Sequence, residues 1–338
     1  MSSTSAPSSA LTSARRLRVS YDVTSVVDEP GRWLVSAQLL LPALSPGADA
    51  VTVLCCIPGG GCTGDYFDLG EPAAGFSFAE HAVAAGLACV LIDNLGTGRS
   101  TRYGDCWLSP QSVARAAVEA FDSAIADLRA ALDITTVRTV AVGHSMGAML
   151  ALMGQAMTNQ YQAVACLGFT PAGLPNVLTG EELRVAAAGP VAVDVLTCLA
   201  AKRFSTPMPV AKDSNRPEPF PFQLPDTDSA ALAALRAAAT NLLPLPGLLS
   251  LMPGNICDYI RQITVPVFIG GGDHEPWHKA GELVGAFENC TDITFYTLVN
   301  SAHNHNVATT RQLLWQRLAA WAAAVAIGSP TPQRRSRT

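Results

Sequence analysis

The stretch TVAVGHSMGAML, Thr139 to Leu150, decides how this chain is read. A short, mostly apolar run leads into Gly-His-Ser-Met-Gly, and Ala, Met and Leu follow at once, so an apolar strand gives way to an apolar helix around a serine. Gly143 and Gly147 flank Ser145 at two residues on either side. A nucleophile perched between strand and helix needs a tight turn, and glycine neighbours make room for it by removing Cβ clashes. An ordinary strand-to-helix connection containing a serine would look the same locally, so the rest of the chain must discriminate.

Working outward, apolar runs recur in the pattern of a layered α/β domain. LRVSYDVTSVV and RWLVSAQLLL, separated by the turn signal DEPG, read as an antiparallel start. VTVLCCI, LACVLID, RTVAVG, QAVACLGF, VPVFIGG and DITFYTLV follow as compact runs expected of strands buried on both faces. Between the second and third of these lies the clearest helix, with Ser109 as its cap, Pro110 in its first turn and an apolar stripe through Val113, Ala117, Phe121, Ile125, Leu128 and Leu132. A closing helix carries Leu314, Leu318, Trp321 and Val325 on one stripe. Such alternation predicts a mostly parallel, eight-stranded sheet with helices on both faces.

The alternation breaks once. Residues 171–262 contain Ala- and Leu-rich helical stretches cut by prolines and no convincing strand, which reads as an inserted helical cap, or as a small domain unrelated to the site. The expected organisation is a core of residues 17–170 and 263–327, the 171–262 cap, and mobile tails over 1–16 and 328–338.

Composition narrows the function classes. The 338 residues are 49% hydrophobic and 14% charged, with a net charge of −5, so long-range attraction to nucleic acid is not expected. No run of about 18 uninterrupted apolar residues occurs, so no membrane span is expected. The nine cysteines are scattered without zinc-site spacing and read as reduced thiols of a cytoplasmic protein. Arg15-Arg16 is followed by LRVSYDVTS rather than an apolar leader, and the Asn289-Cys290-Thr291 sequon would matter only after secretion. His81, His274 and His278 are too dispersed for a metal site.

Three features discriminate. VTVLCCIPGGGCTGDYF supplies a strand followed by Pro58 and three glycines, a loop able to bring the amide of Gly60 to a developing oxyanion beside that of Met146. VPVFIGGGDHEPW places Asp273 after a later strand, preferred as the acid over the nearby Glu275 on its spacing. FYTLVNSAHNHNV offers His303 and His305 beyond the last strand; His303 is preferred because His305 is expected on the final helix. Ser145, Asp273 and His303 thus run in the order serine, acid, histidine. His144 and Cys62 read as packing residues.

On these motifs the chain resembles the α/β-hydrolase superfamily from about Leu17 to Ile327, a likeness extended by DNLGTGRS, Asp93 to Ser100, whose counterpart in such enzymes is structural. Where many relatives carry His-Gly at the oxyanion loop this chain has Pro58-Gly59. The resemblance implies a serine hydrolase that needs no cofactor or metal. Ser145 would attack a carbonyl, His303 shuttle the proton and Asp273 orient the imidazole. A cap rich in Leu, Met, Phe and Pro with few basic residues suggests an ester or lactone of a hydrophobic small molecule. A thioesterase or carbon–carbon bond hydrolase would use the same residues, and a lyase, a cofactor-free oxidase or a ligand-binding receptor could share the fold.

Overall fold

A computed structural model describes residues 16–43, 47–70, 73–207, 209, 222–275 and 280–328. All eight apolar runs form strands: β1 (Arg16–Asp22), β2 (Leu34–Leu40), β3 (Ala50–Ile57), β4 (Ala88–Ile92), β5 (Thr136–His144), β6 (Ala163–Leu167), β7 (Val267–Gly272) and β8 (Ile293–Leu298). They make one sheet in the order β1-β2-β4-β3-β5-β6-β7-β8. β1 pairs with β2, and β2 with β4, antiparallel; every later pairing is parallel.

Strands β3 to β7 are almost wholly buried, as continuous apolar runs require, but β8 is only half-buried over most of its length. It lies at the sheet edge, where one neighbour is missing, so its apolar run carries less burial than its composition suggests.

Ten helices appear among the described residues: α1 (Phe78–Ala84), α2 (Pro110–Leu132), α3 (Met146–Thr158), α4 (Gly180–Ala187), α5 (Val193–Phe204), α6 (Ser229–Ala237), α7 (Pro244–Leu251), α8 (Cys257–Ile260), α9 (Ala280–Gly285) and α10 (Arg311–Gly328). Ser109 caps α2 by accepting from the Ser112 amide, with Pro110 in the first turn. α2 and α3 bury their apolar faces on one side of the sheet. On the other side lie α1 and α10. In α10 the buried face runs through Leu314, Trp315, Leu318, Ala319, Ala322 and Ala326, which leaves Trp321 and Val325 at its margin.

Between β6 and β7 the described chain runs through α4 to α8, and a seam stitches it to the core. Thr63 N–H donates to the Ala238 carbonyl at 2.8 Å and Thr240 N–H to that of Gly61 at 2.8 Å. Gly98 N–H donates to Thr240 Oγ1 at 2.9 Å, and Asn241 Nδ2 to the Gly96 carbonyl at 2.9 Å. Four such hydrogen bonds, two between backbone groups and two through side chains, fix the position of this segment against the core.

Arg16, expected in the first tail, is instead the first residue of β1 and pairs with Leu40. The remainder of that tail, the tail beyond Gly328, and His278 lie outside the described residues. All nine cysteines are free. No helix among the described residues is long and apolar enough to cross a membrane.

Candidate active site

Ser145 occupies the single-residue link between β5 and α3, with φ 55° and ψ −125°. Such a conformation costs a non-glycine residue on the order of 1–3 kcal/mol, so the surroundings must impose it. Ser145 N–H donates to the Leu167 carbonyl at 2.7 Å on the neighbouring strand, and its own carbonyl accepts from Ala148 N–H at 2.9 Å. The flanking glycines are required by space. A Cβ on Gly143 would stand 2.4 Å from Ala148 Cα, and one on Gly147 2.1 Å from the Ile57 carbonyl oxygen. Neither adopts a left-handed φ, so both serve close approach of strand, loop and helix.

The loop after β3 passes directly beside this elbow. A Cβ on Gly59 would lie 3.1 Å from Ser145 Cβ, and one on Gly60 3.6 Å from Met146 Sδ and 2.9 Å from Leu242 Cδ1. Asn94 Nδ2 holds the loop by donating to the Pro58 carbonyl at 3.0 Å. Asp93, at the end of β4, accepts from the amides of Gly64 and Arg99, each at 2.8 Å. The DNLGTGRS segment therefore braces the glycine loop from behind. Burial pushes the Cys62 thiol up to about 12, so it stays protonated and packs.

Beyond β8, the loop carrying His303 and His305 folds back against the elbow. His144 Nε2–H donates to the His303 carbonyl at 2.8 Å, and the His144 ring stacks on Tyr66 with centroids 4.4 Å apart. Burial, then the facing rings of His303 and His305, hold His144 well below the ordinary histidine range, so it is a neutral brace. Gly168, at φ +61°, leaves room for the loop: a Cβ there would lie 3.0 Å from His303 Nδ1 and 3.2 Å from His305 Cε1.

The acid that meets the histidines is Glu275, and the expected Asp273 does not. Asp273 is partly exposed, and its carboxylate accepts from the Asn300 and Ser301 amides at 3.0 Å each. Burial would raise its carboxyl, but the Ser301 and Asn300 amides outweigh that and hold it below the usual range. It braces the turn that leads to the histidine loop. Glu275, by contrast, has a fully buried side chain. Its Oε2 lies 3.7 Å from His303 Nδ1, and its Oε1 accepts from the Gly272 amide at 3.1 Å and contacts His305 Nε2. Burial alone would raise this carboxyl, yet the two histidines hold it well below the usual carboxylate range. The physical reason for the difference is a turn. Glu275 N–H bonds the Gly272 carbonyl at 3.1 Å, so the chain reverses after β7 and its third residue returns to the strand end. His305 opens a short 3-10 turn, His305–Val307, ahead of α10, and is buried rather than on the final helix.

Ser145, His303, Gly60 and Met146 line one cavity of about 720 Å³. Its roof comes from the β6–β7 insertion, through Phe204, Phe222, Leu232, Leu235, Leu242 and Leu251. Two arginines, Arg203 and Arg236, line it as well, so the few basic residues of this segment include two that face the cavity. Lys202 and Arg203 in AAKRF and Arg236 in ALRAAA were the available signal. Neither the burial of Glu275 beside His303 nor its contact with His305 has a signature in spacing, because both depend on how two loops fold back.

Comparisons with known proteins agree with this architecture. The peroxisomal alpha-beta-hydrolase Lpx1 of Saccharomyces cerevisiae superposes with a TM-score of 0.57 at 13% identity, covering 96% of this chain and 92% of that one. Proline iminopeptidase of Mycobacterium smegmatis gives 0.55 at 16% identity, covering 92% and 99%. Bromoperoxidase of Bacillus anthracis gives 0.56 at 14%, covering 91% and 100%. No curated protein sequence matches the chain. At such identities these structures speak for the fold alone. A family model for alpha/beta hydrolases matches residues 53–324, which take in the glycine loop, the serine elbow and both histidines, so the chain belongs to the alpha/beta hydrolase family.

Proposed function

We propose that the protein is a serine hydrolase in which Ser145 is the nucleophile, His303 the general base and Glu275 the acid that orients it. The amides of Gly60 and Met146 serve as the oxyanion donors. The observation that carries this reading is the buried Glu275–His303 approach of 3.7 Å, with His303 on the same cavity as a serine held at φ 55°. His303 Nδ1 faces the carboxylate, which leaves Nε2 for the serine. In the reaction Ser145 Oγ bonds the carbonyl carbon as its proton passes to Nε2, and the ionised Glu275 stabilises the imidazolium. Collapse of the tetrahedral adduct expels the leaving group, which takes that proton. Water, deprotonated by the same nitrogen, then attacks the acyl carbon, and the Ser145 Oγ–carbon bond breaks as Oγ takes back that proton and the carboxylic acid leaves. The apolar roof favours an ester or lactone with a hydrophobic portion, and residues 171–262 act as the cap that excludes bulk water.

Intact mass after treatment with a broad alkyl fluorophosphonate tests the nucleophile. One phosphonyl adduct on the wild type, absent from Ser145→Ala, is the expected result. A folded wild type that takes up no adduct would remove the reading.

His305 enters as a positioning residue. Its Nε2 occupies Glu275 Oε1 and leaves Oε2 turned toward His303. His305→Leu is expected to lower kcat by about 10- to 100-fold with little change in KM, because positioning groups act on orientation more than on binding. His305→Gln, which keeps a donor at that position, should recover most of the loss. Equal damage from both substitutions would reduce His305 to a packing residue.

A further inference from the structure

The cavity's charge is one-sided. Its described lining contains two arginines and no aspartate or glutamate. Arg203 is already committed: its Nη1 donates to both oxygens of the buried Glu182 at 3.1 and 2.8 Å, and its Nη2 to the Val177 carbonyl at 3.0 Å. Arg236 is not; among the described residues no carboxylate lies within ion-pair distance of its guanidinium.

The position of Arg236 is fixed by the fold. Helix α6 buries Ala231 and Ala234, and Ala238 just beyond it, against Leu69, Phe76 and Val307. Helical spacing then sends Leu232, Leu235 and Arg236 to the cavity face. The end of the helix cannot swing away, because the amides of Thr63 and Thr240 tie Ala238 and Gly61 across the seam. A cation is thereby held on a cavity wall whose other insertion-derived lining is largely apolar, two residues from the strip bonded to the glycine loop.

Resting on the serine-hydrolase reading above, we infer that the substrate carries an anionic group, such as a carboxylate, beyond its apolar portion, and that Arg236 binds it. A guanidinium with no carboxylate partner among the described residues matches a carboxylate's two oxygens through its planar fork. Because Arg236 is exposed, the pair remains open to solvent and its effect is modest, about fivefold in rate.

The test uses two alkyl fluorophosphonates of equal chain length, one ending in methyl and one in carboxylate. In each reaction Ser145 Oγ bonds phosphorus, fluoride leaves and the serine proton passes to His303. Intact mass gives the labelling rate of each probe on the wild type and on Arg236→Gln, and the carboxylate-to-methyl rate ratio cancels intrinsic probe reactivity. The ratio is expected to be about fivefold higher in the wild type than in the variant. A difference below twofold, including a parallel fall for both probes, would overturn the inference and leave the hydrolase reading standing. Absence of any Ser145 adduct on the folded wild type with either probe would instead remove the hydrolase reading, and this inference with it.

Discussion

Glu275→Gln is expected to lower kcat/KM by about 10³- to 10⁴-fold, the scale seen when the acid of a serine triad loses its charge and its histidine takes the wrong tautomer. The amide is isosteric, so the buried site keeps its shape. What would be lost, on the proposed mechanism, is the charge 3.7 Å from His303 Nδ1 that stabilises the imidazolium. Asp273→Asn supplies the contrast. Its carboxylate accepts two loop amides at the surface, and the asparagine oxygen can keep one of them, so activity should stay within about tenfold of wild type. Steady-state rates on a chromogenic ester, with melting temperatures recorded beside them, separate the two positions. If Asp273→Asn abolished turnover while Glu275→Gln spared it, the acid would have to be reassigned to Asp273.

Gly147→Ala should be among the most damaging single methyl additions in the core. Its Cβ would meet two backbone carbonyl oxygens, those of Ile57 at 2.1 Å and Pro58 at 2.5 Å. Neither can rotate aside as a side chain would, so β3 and α3 would have to separate. Overpacking alone typically costs about 1–3 kcal/mol, and a clash with rigid backbone belongs at or above the upper end of that range. The same displacement moves the Gly59–Gly60 loop away from Ser145. A melting temperature several degrees lower, together with loss of phosphonate labelling at Ser145, is therefore expected. Gly104→Ala is the control, since a Cβ there meets nothing within 4 Å and the backbone is not left-handed. It should fall within about 0.5 kcal/mol of wild type. Equal stability of the two variants by chemical denaturation would contradict the close approach at the elbow.

Both predictions turn on tertiary proximity, of a side chain in one and of backbone in the other, and that is where the amino-acid sequence and the folded structure part company. Runs such as VTVLCCI and QAVACLGF announce strands because burial on both faces leaves no room for polar alternation. Ser109-Pro110 announces a helix because the cap and first-turn preferences are local. Gly143, Ser145 and Gly147 announce a tight turn for the same kind of reason, since the constraint acts within five residues. Order along the chain also placed His303 beyond the last strand, and the fold brings it to the cavity that Ser145 lines.

Distance along the chain favoured Asp273, but the fold places the other carboxylate beside the histidines. Asp273 stands nearest the end of β7, but the reversal closed by Glu275 N–H and the Gly272 carbonyl carries Asp273 to the surface and returns Glu275 to the buried cluster. The second histidine followed the same logic: expected on the final helix, His305 instead opens a short turn against Glu275. Arg236 reads as one cation in an alanine-rich helix until the buried alanines show which face of α6 is turned to the cavity. The amino-acid sequence by itself determined the strands, the principal helices and the serine elbow, because periodicity, caps and glycine spacing act over a few residues. Which carboxylate meets His303, and which cation faces the cavity that Ser145 lines, only the tertiary structure decided, because those partners are set by a loop reversal and a helix rotation that local periodicity does not encode.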